Sequence, residues 1–132
     1  ILGTWSGPKW TSIMDISTVL LVIQSLLDDN PLHHEPGQES NKTNTNELYN
    51  EIIKYESINT LLIKNITDPI ETFYMFHEKM LKEFQIYKES ISLFLESNKD
   101  KEKRNIKVGF YRININLDYQ RLHKVYHHLL KI

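Results

Sequence analysis

The chain has 132 residues, of which 40% are hydrophobic and 25% charged, a composition typical of one globular domain with a real core. Its formal net charge of −1 argues against binding to nucleic acid or an anionic membrane, and its longest apolar run, residues 19–23, is far too short to span one. It contains no cysteine, which excludes a disulfide framework, a thiolate metal site and a thiol nucleophile within these residues.

A first helix is predicted at residues 16–28, after an irregular loop that contains two tryptophans. Its main apolar stripe recurs at helical spacing and comprises Ile16, Val19, Leu20, Ile23 and Leu27. Other sides of the helix carry Leu21, Val22 and Leu26. Because apolar residues face nearly every side, we expect this helix to be covered almost all round. Asp15 or Ser17 can cap its start, and Asn30 followed by Pro31 ends it.

A second helix is predicted after a polar loop at residues 30–46, starting at Asn44 or Thr45 and fading near Asn65. Its apolar stripe comprises Leu48, Ile52, Tyr55, Ile58 and Leu62, widened by Ile53 and Leu61. The period of this stripe is that of an amphipathic helix with one buried face.

A third, long helix is predicted at residues 69–97, with Asp68 as its cap, Pro69 in its first turn and Glu71 reaching back as in a capping box. The apolar residues that hold the helical period are Phe73, Phe76, Met80, Phe84, Tyr87, Ile91 and Phe94. A charged run at residues 99–104 ends the pattern.

The segment at residues 106–115 alternates imperfectly, so we predict a loop that contains at most a short strand. A last helix follows, for which Asn116 can serve as the cap. Its apolar face comprises Tyr119, Leu122, Tyr126 and Leu129. These 132 residues are therefore predicted to be mainly α, with about four helices plus loops and no convincing β-sheet.

Three histidines lie close together in this last helix, at His123, His127 and His128. The pair His123 and His127 has the i, i+4 spacing that lets two imidazoles share a metal ion. A third ligand at a defined spacing is missing, as is any His-Glu-x-x-His pattern. We therefore expect surface histidines and predict no metal site.

The run WTSIMDISTVLLVIQSLL at residues 10–27, with Ile1 and Leu2 before it and His33 to Gly37 after it, carries a recognisable pattern. Over residues 1–39 this pattern resembles ubiquitin-conjugating (E2) enzymes just downstream of their catalytic cysteine. That family runs Cys-Leu-x-Ile-Leu, a short loop, then Trp-Ser-Pro-Ala-Leu-Thr-Ile-Ser-x-Val-Leu-Leu-x-Ile-Gln-Ser-Leu-Leu. In register with it stand Ile1, Leu2, Trp10, Ile16, Ser17, Val19, Leu20, Leu21 and the run at residues 23–27. A longer loop before Trp10 and the run His33-His34-Glu35-Pro36-Gly37 are most similar to the larger Z-type E2s.

The resemblance implies an enzyme that accepts ubiquitin or a ubiquitin-like protein from an E1 as a cysteine thioester and transfers it to a substrate lysine. A thiolate suits both steps, because it is a good nucleophile and then a good leaving group. The cysteine would lie about three residues before Ile1, so the chain as given would be inactive alone. The implied partners are the modifier, an E1, an E3 and a protein substrate. No cofactor is implied, since the E1 uses the ATP.

The resemblance also implies how the fold is divided. The chain would be the carboxy-terminal part of an α/β E2 fold whose β-sheet lies upstream of Ile1. Residues 1–66 would complete the core domain and residues 67–132 would be a helical extension of it. The first helix would be the central helix that packs on the missing sheet. The resemblance also implies a location in the cytoplasm, and in the nucleus as well.

Two sets of site residues follow from the resemblance. Trp10, Thr11, Ser12 and Ile13 occupy the positions of the E3-contacting loop, although three of the four depart from the family pattern. His33 stands near the position at which E2s carry an acidic residue that assists the incoming lysine, and an imidazole could accept its proton. His34 or Glu35 could serve instead.

Two alternatives remain open. One is a non-catalytic E2-like interaction module in which another residue stands at the cysteine position. The other is a helical binding protein that uses the phenylalanine-rich helix at residues 69–97 as a partner groove.

Overall fold

The structure is a computed structural model that describes residues 11, 15–40 and 42–131, apart from the side chain of Phe110. It divides the chain into two compact units, residues 1–41 and 42–132. Helices make up most of the described residues, as predicted: α1 (Ile16–Ser25), α2 (Asn44–Glu56), the single turn α3 (Asn65–Thr67), α4 (Tyr74–Asn98) and α5 (Tyr119–Leu129). The strands are β1 (Arg104–Val108) and β2 (Ile113–Leu117).

The first unit is built around α1, which begins where the sequence predicts. The Asp15 carboxylate accepts from the Thr18 amide at 2.7 Å and from its hydroxyl at 2.9 Å, which makes Asp15 the cap. None of the ten residues of α1 is buried. Leu20 and Leu21 are 59% and 65% exposed, so the expected cover is not found among the described residues.

The second unit starts with α2, which begins at Asn44 as predicted. Its continuation is a π-helix at Ser57–Lys64, which was not predicted. A π-helix has wider turns than an α-helix, so each residue advances through a smaller angle. The buried face therefore shifts along the sequence, and Ile63 is buried while Leu61 is 64% exposed.

The predicted cap of the long helix is wrong. The Asp68 amide donates to the Lys64 carbonyl at 2.8 Å, so Asp68 closes the preceding helical segment. A 3-10 turn at Glu71–Phe73 follows, and α4 begins only at Tyr74. A capping pattern is a local signal that assigns Asp68 to the start of the long helix. In the structure the same residue is used to end the helical segment before it.

Helix α4 runs to Asn98, as predicted, but buries only part of the expected stripe. Phe84 and Leu95 are buried, whereas Phe73 and Phe76 are each 53% exposed and Tyr87 is 56% exposed. One face of α4 from Phe84 onward therefore packs on the core of the second unit, and aromatic side chains around the start of the helix are exposed to solvent.

A two-stranded antiparallel hairpin stands where the sequence predicts a loop with at most a short strand. Ile106 pairs with Ile115 and Val108 with Ile113. The apolar positions are even-numbered in β1 and odd-numbered in β2, because the turn between the strands changes the phase. Taken as one segment, these residues alternate imperfectly; as two strands, each has the period of two that a half-buried hairpin requires.

Helix α5 supplies one side of the core, and all four residues of its predicted face are buried: Tyr119, Leu122, Tyr126 and Leu129. The Tyr126 hydroxyl donates to the Lys88 carbonyl of α4 at 2.7 Å, a bond that contributes about 1 kcal/mol in a typical interior. Tyr126 also meets the Phe84 ring edge-on, with centroids 6.1 Å apart. The contact between α4 and α5 thus combines apolar burial with a directional bond.

The cap of α5 is Asp118 rather than the predicted Asn116. The Arg121 amide donates to the Asp118 carboxylate at 2.8 Å, and the Lys103 ammonium lies 3.3 Å from its other oxygen. The Arg121 amide, with a smaller contribution from Lys103, lowers the pKa of the Asp118 carboxyl below its usual value of 3.8. Asn116 lies on the exposed face of β2, where its amide oxygen accepts from Asn105 at 2.9 Å.

This cap should give the second unit a measurable pH dependence. Because the folded-state pKa of Asp118 is lowered, its stabilisation is complete above about pH 4 and is lost as the pH falls through the folded-state value. We expect Asp118→Ala to lower the midpoint of urea unfolding at pH 7, with a deficit that shrinks towards pH 2. Asp118→Asn keeps a capping oxygen without the charge and should lose less, with little pH dependence of its own. A deficit in Asp118→Ala that is constant with pH would contradict this account.

Candidate functional site

His33 and His34, to which the resemblance points, lie in a 3-10 turn at Pro31–His34, in the first unit. The His33 amide donates to the Asn30 carbonyl at 2.9 Å, and the Glu35 amide donates to the Leu32 carbonyl at 3.0 Å. Leu32 is completely buried. The backbone of this turn is thus fixed by its own hydrogen bonds and by one apolar anchor, and both histidines are presented from an ordered segment.

His34 and Asp28 form an ion-pair geometry, with the imidazole Nε2 3.0 Å from a carboxylate oxygen. The other oxygen of Asp28 accepts from the Asn30 amide at 2.7 Å. These bonds, that of Asn30 first, lower the pKa of the Asp28 carboxyl. A carboxylate held in this way orients the His34 ring. His33, the residue that the resemblance favours, is half-buried in the same turn.

The turn is followed by a glycine in the left-handed region. Gly37 has φ = +78°, a conformation that side chains with a Cβ adopt only at a cost. Its amide donates to the Glu39 carboxylate at 3.0 Å. Gly37 therefore sets the direction in which the chain leaves the two histidines.

The predicted E3-contacting loop lies mostly outside the described residues. Trp10, Ser12 and Ile13 are not described, and Thr11 is exposed and outside regular structure. Of the other predicted site residues, His33 and His34 lie in the 3-10 turn and Glu35 caps its end.

A second group of chemically capable side chains lies where α4 meets α5. His123 and His127 have ring centroids 4.3 Å apart, and the His123 Nε2 lies 2.8 Å from a Glu96 carboxylate oxygen. One donor atom from each of the three residues lies within 4.8 Å of the other two. Glu96 was not foreseen as a neighbour, because it precedes His123 by 27 residues and no local pattern connects them.

An apolar cavity of about 550 Å³ opens between the π-helix and α4 in the second unit. Its apolar lining includes Ile58, Leu62, Ile66, Phe76, Met80 and Tyr87. Such volume and lining are typical of sites that take small apolar ligands or apolar side chains.

Comparison with known proteins gives related sequences, although no family model matches the chain. The chain is 31% identical to ubiquitin-conjugating enzyme E2 Z of Xenopus tropicalis over 123 residues, which cover 92% of this chain and 39% of that protein. It is 49% identical to the Homo sapiens protein of the same name over 59 residues, 44% of this chain and 17% of that protein. The chain is related to the Z-type ubiquitin-conjugating (E2) enzymes. The resemblance predicted from the sequence is thereby confirmed.

Each match covers only part of the relative's length. The Danio rerio E2 Z is 35% identical over 95 residues, which cover 69% of this chain and 29% of that protein. The chain spans about two fifths of the length of the Xenopus tropicalis protein. Its mainly helical character accords with a carboxy-terminal part of an E2 fold. No helix in the described part of the chain is long and apolar enough to cross a membrane.

The left-handed glycine offers a direct test of the turn beside the two histidines. Gly37→Ala should destabilise this region by roughly 1–2 kcal/mol, because the Cβ disfavours φ = +78° even though no atom lies within 4 Å of it. Gly109→Ala is the matched control, since that glycine also has open space around its Cβ position and no positive φ. Faster amide exchange across residues 28–38 in Gly37→Ala alone is expected, and equal exchange in both variants would contradict the assignment.

Proposed function

We propose that the protein containing this chain is an E2 enzyme that takes ubiquitin or a ubiquitin-like protein from an E1 as a cysteine thioester and passes it to a substrate lysine. The observation that carries the proposal is the relation to the Z-type E2s over 92% of the chain. We place the nucleophile in a cysteine about three residues before Ile1, the position that the resemblance implies, since these 132 residues contain no cysteine. ATP is used by the E1, so the protein itself needs no cofactor, and it acts in the cytoplasm or nucleus.

We also propose that residues 1–66 belong to the E2 core domain and residues 67–132 to its helical extension. In this arrangement α1 packs on the β-sheet supplied by the preceding residues. The exposure of its apolar side chains supports this, since Ile16, Leu20 and Leu21 are 76%, 59% and 65% exposed. A helix that is apolar on most sides ordinarily belongs in a core.

The proposed packing of α1 predicts opposite outcomes for one double substitution. In the 132-residue chain, Leu20→Glu with Leu21→Glu should leave the melting temperature unchanged and reduce the fluorescence of a dye that binds apolar surface. In the longer protein the same pair should unfold the domain, because two carboxylates would be buried against a sheet. Ile86→Glu in α4, a site that is 68% exposed, is the control expected to be tolerated in both. Tolerance of the Leu20 and Leu21 changes in the longer protein would refute the packing.

His33 is proposed as the group that assists lysine attack on the thioester. Lysine must lose a proton to become a nucleophile, and an imidazole is suited to accept it near neutral pH. The half-buried position of His33 in a turn fixed by hydrogen bonds supports this role. Trp10 and its neighbours Thr11, Ser12 and Ile13 are proposed to contact an E3.

The experiment that tests the function is a charging assay on the longer protein with E1, ATP and ubiquitin. A ubiquitin adduct that thiol reductant removes is expected, and it should be lost when the cysteine before Ile1 is replaced by alanine. Discharge onto free lysine should then slow by about tenfold or more in His33→Ala while charging is unchanged. His128→Ala, which removes an exposed histidine in α5, should discharge at the original rate. Slowing in His34→Ala but not in His33→Ala would move the role to His34.

A non-catalytic interaction module is the second candidate, and one feature favours it. Phe73, just before α4, and Tyr74, Met75 and Phe76, in its first turn, are exposed, and Phe76 also lines the apolar cavity. Exposed aromatic residues around a groove are typical of helix-binding surfaces. The absence of any reductant-sensitive adduct in the charging assay, with saturable binding of an amphipathic peptide that Phe76→Ala weakens, would favour this function.

A further inference from the structure

We propose that Glu96, His123 and His127 form a Zn²⁺ site at the contact between α4 and α5, with a fourth coordination position left open. The site is independent of the E2 function and differs from the sequence prediction of no metal. Two imidazoles and one carboxylate are the ligand set of three-residue zinc sites. The third ligand that the sequence lacks at any defined spacing comes from a different helix.

The distances suit a single ion with little rearrangement. The His123 Nε2 and the Glu96 carboxylate oxygen are 2.8 Å apart, and the three donor atoms lie within 4.8 Å of one another. Tetrahedral zinc with bonds of 2.0–2.1 Å separates its ligand atoms by about 3.3 Å. The separation between Glu96 and His123 is shorter than this value, and no pair of donor atoms is more than 4.8 Å apart, so small side-chain rotations would bring all three atoms onto one ion.

The scaffold holds the ligands in place before an ion arrives. Leu95, next to Glu96, is completely buried, and so are Leu122 and Tyr126, which flank the histidine positions in α5. His123 and His127 are one helical turn apart, so their side chains rise from the same face. Because the backbones of α4 and α5 are fixed by core packing, binding an ion orders only side chains.

The Lys99 ammonium competes with a metal ion for Glu96, whereas the end of α5 favours a cation. One Glu96 oxygen pairs with Lys99, and the other is directed to His123. His127 is in the last turn of α5, where the free carbonyls give the helix end a negative partial charge.

A simple ion pair between Glu96 and His123 would also explain their contact. That account gives no role to His127, which lies beside them. A surface ion pair needs one imidazole and contributes little to stability. A zinc site needs both, and it makes His127 as important as His123 for binding. His127 is therefore the residue whose replacement separates the two accounts.

The test uses the 132-residue chain without a polyhistidine tag, titrated with ZnCl₂ by calorimetry and followed by NMR of the imidazole resonances. We expect one equivalent of zinc to bind with micromolar affinity and to shift the resonances of His123 and His127. His127→Ala and Glu96→Gln should each weaken binding by at least about tenfold. His128→Ala is the matched control, because it removes an exposed histidine next to the site and should bind as the original chain does.

Circular dichroism of each variant shows whether the helices remain. Glu96, His127 and His128 are all exposed, so the three variants should retain the fold. Three results would overturn the proposal. One is the lack of saturable binding by the original chain at millimolar zinc. Another is unchanged affinity in His127→Ala or in Glu96→Gln. The third is equal weakening in His128→Ala, which would indicate zinc bound non-specifically by surface histidines.

Discussion

Burial of one face of α5 is the interaction on which the second unit depends. Tyr119 and Tyr126 place their rings against residues of α2 and α4, with Tyr55 and Phe84 each meeting one of them edge-on. Leu122, between them, is completely buried. Since these contacts join segments that are 42 or more residues apart in sequence, the order of the whole unit rests on a helix of 11 residues.

The polar contacts around this core follow from its packing. Once α5 lies on α4, the Tyr126 hydroxyl reaches the Lys88 carbonyl and His123 reaches Glu96. The hairpin adds charge pairs at its edge, where Arg104 bonds to the Glu51 carboxylate of α2. Burial raises the pKa of the neighbouring Tyr119 hydroxyl, and the Glu51 charge raises it further, so this group stays neutral. The histidine and glutamate cluster is thus a by-product of core packing that zinc could use.

The first unit presents the reverse situation. Helix α1 is well capped by Asp15, yet its apolar residues find little cover among the described residues. Isolated helices of this length are marginal in water, and tertiary contacts normally supply their stability. The proposed E2 sheet would provide such contacts. The relation to Z-type E2s would then account for the exposed apolar side chains of α1.

The sequence by itself determined the elements whose signals are local. The period of Tyr119, Leu122, Tyr126 and Leu129 predicted both a helix and its buried face, and the matched run from Ile16 onward predicted the relation to E2 enzymes. Tertiary structure decided the rest, because it concerns partners that are distant in sequence. Asp68 closes one helix instead of opening the next, the turn at residues 109–112 reverses the alternation into a hairpin, and Glu96 meets His123 only after α4 and α5 have packed. Periodicity is a property of neighbouring residues, whereas burial and ligand geometry depend on which surfaces meet.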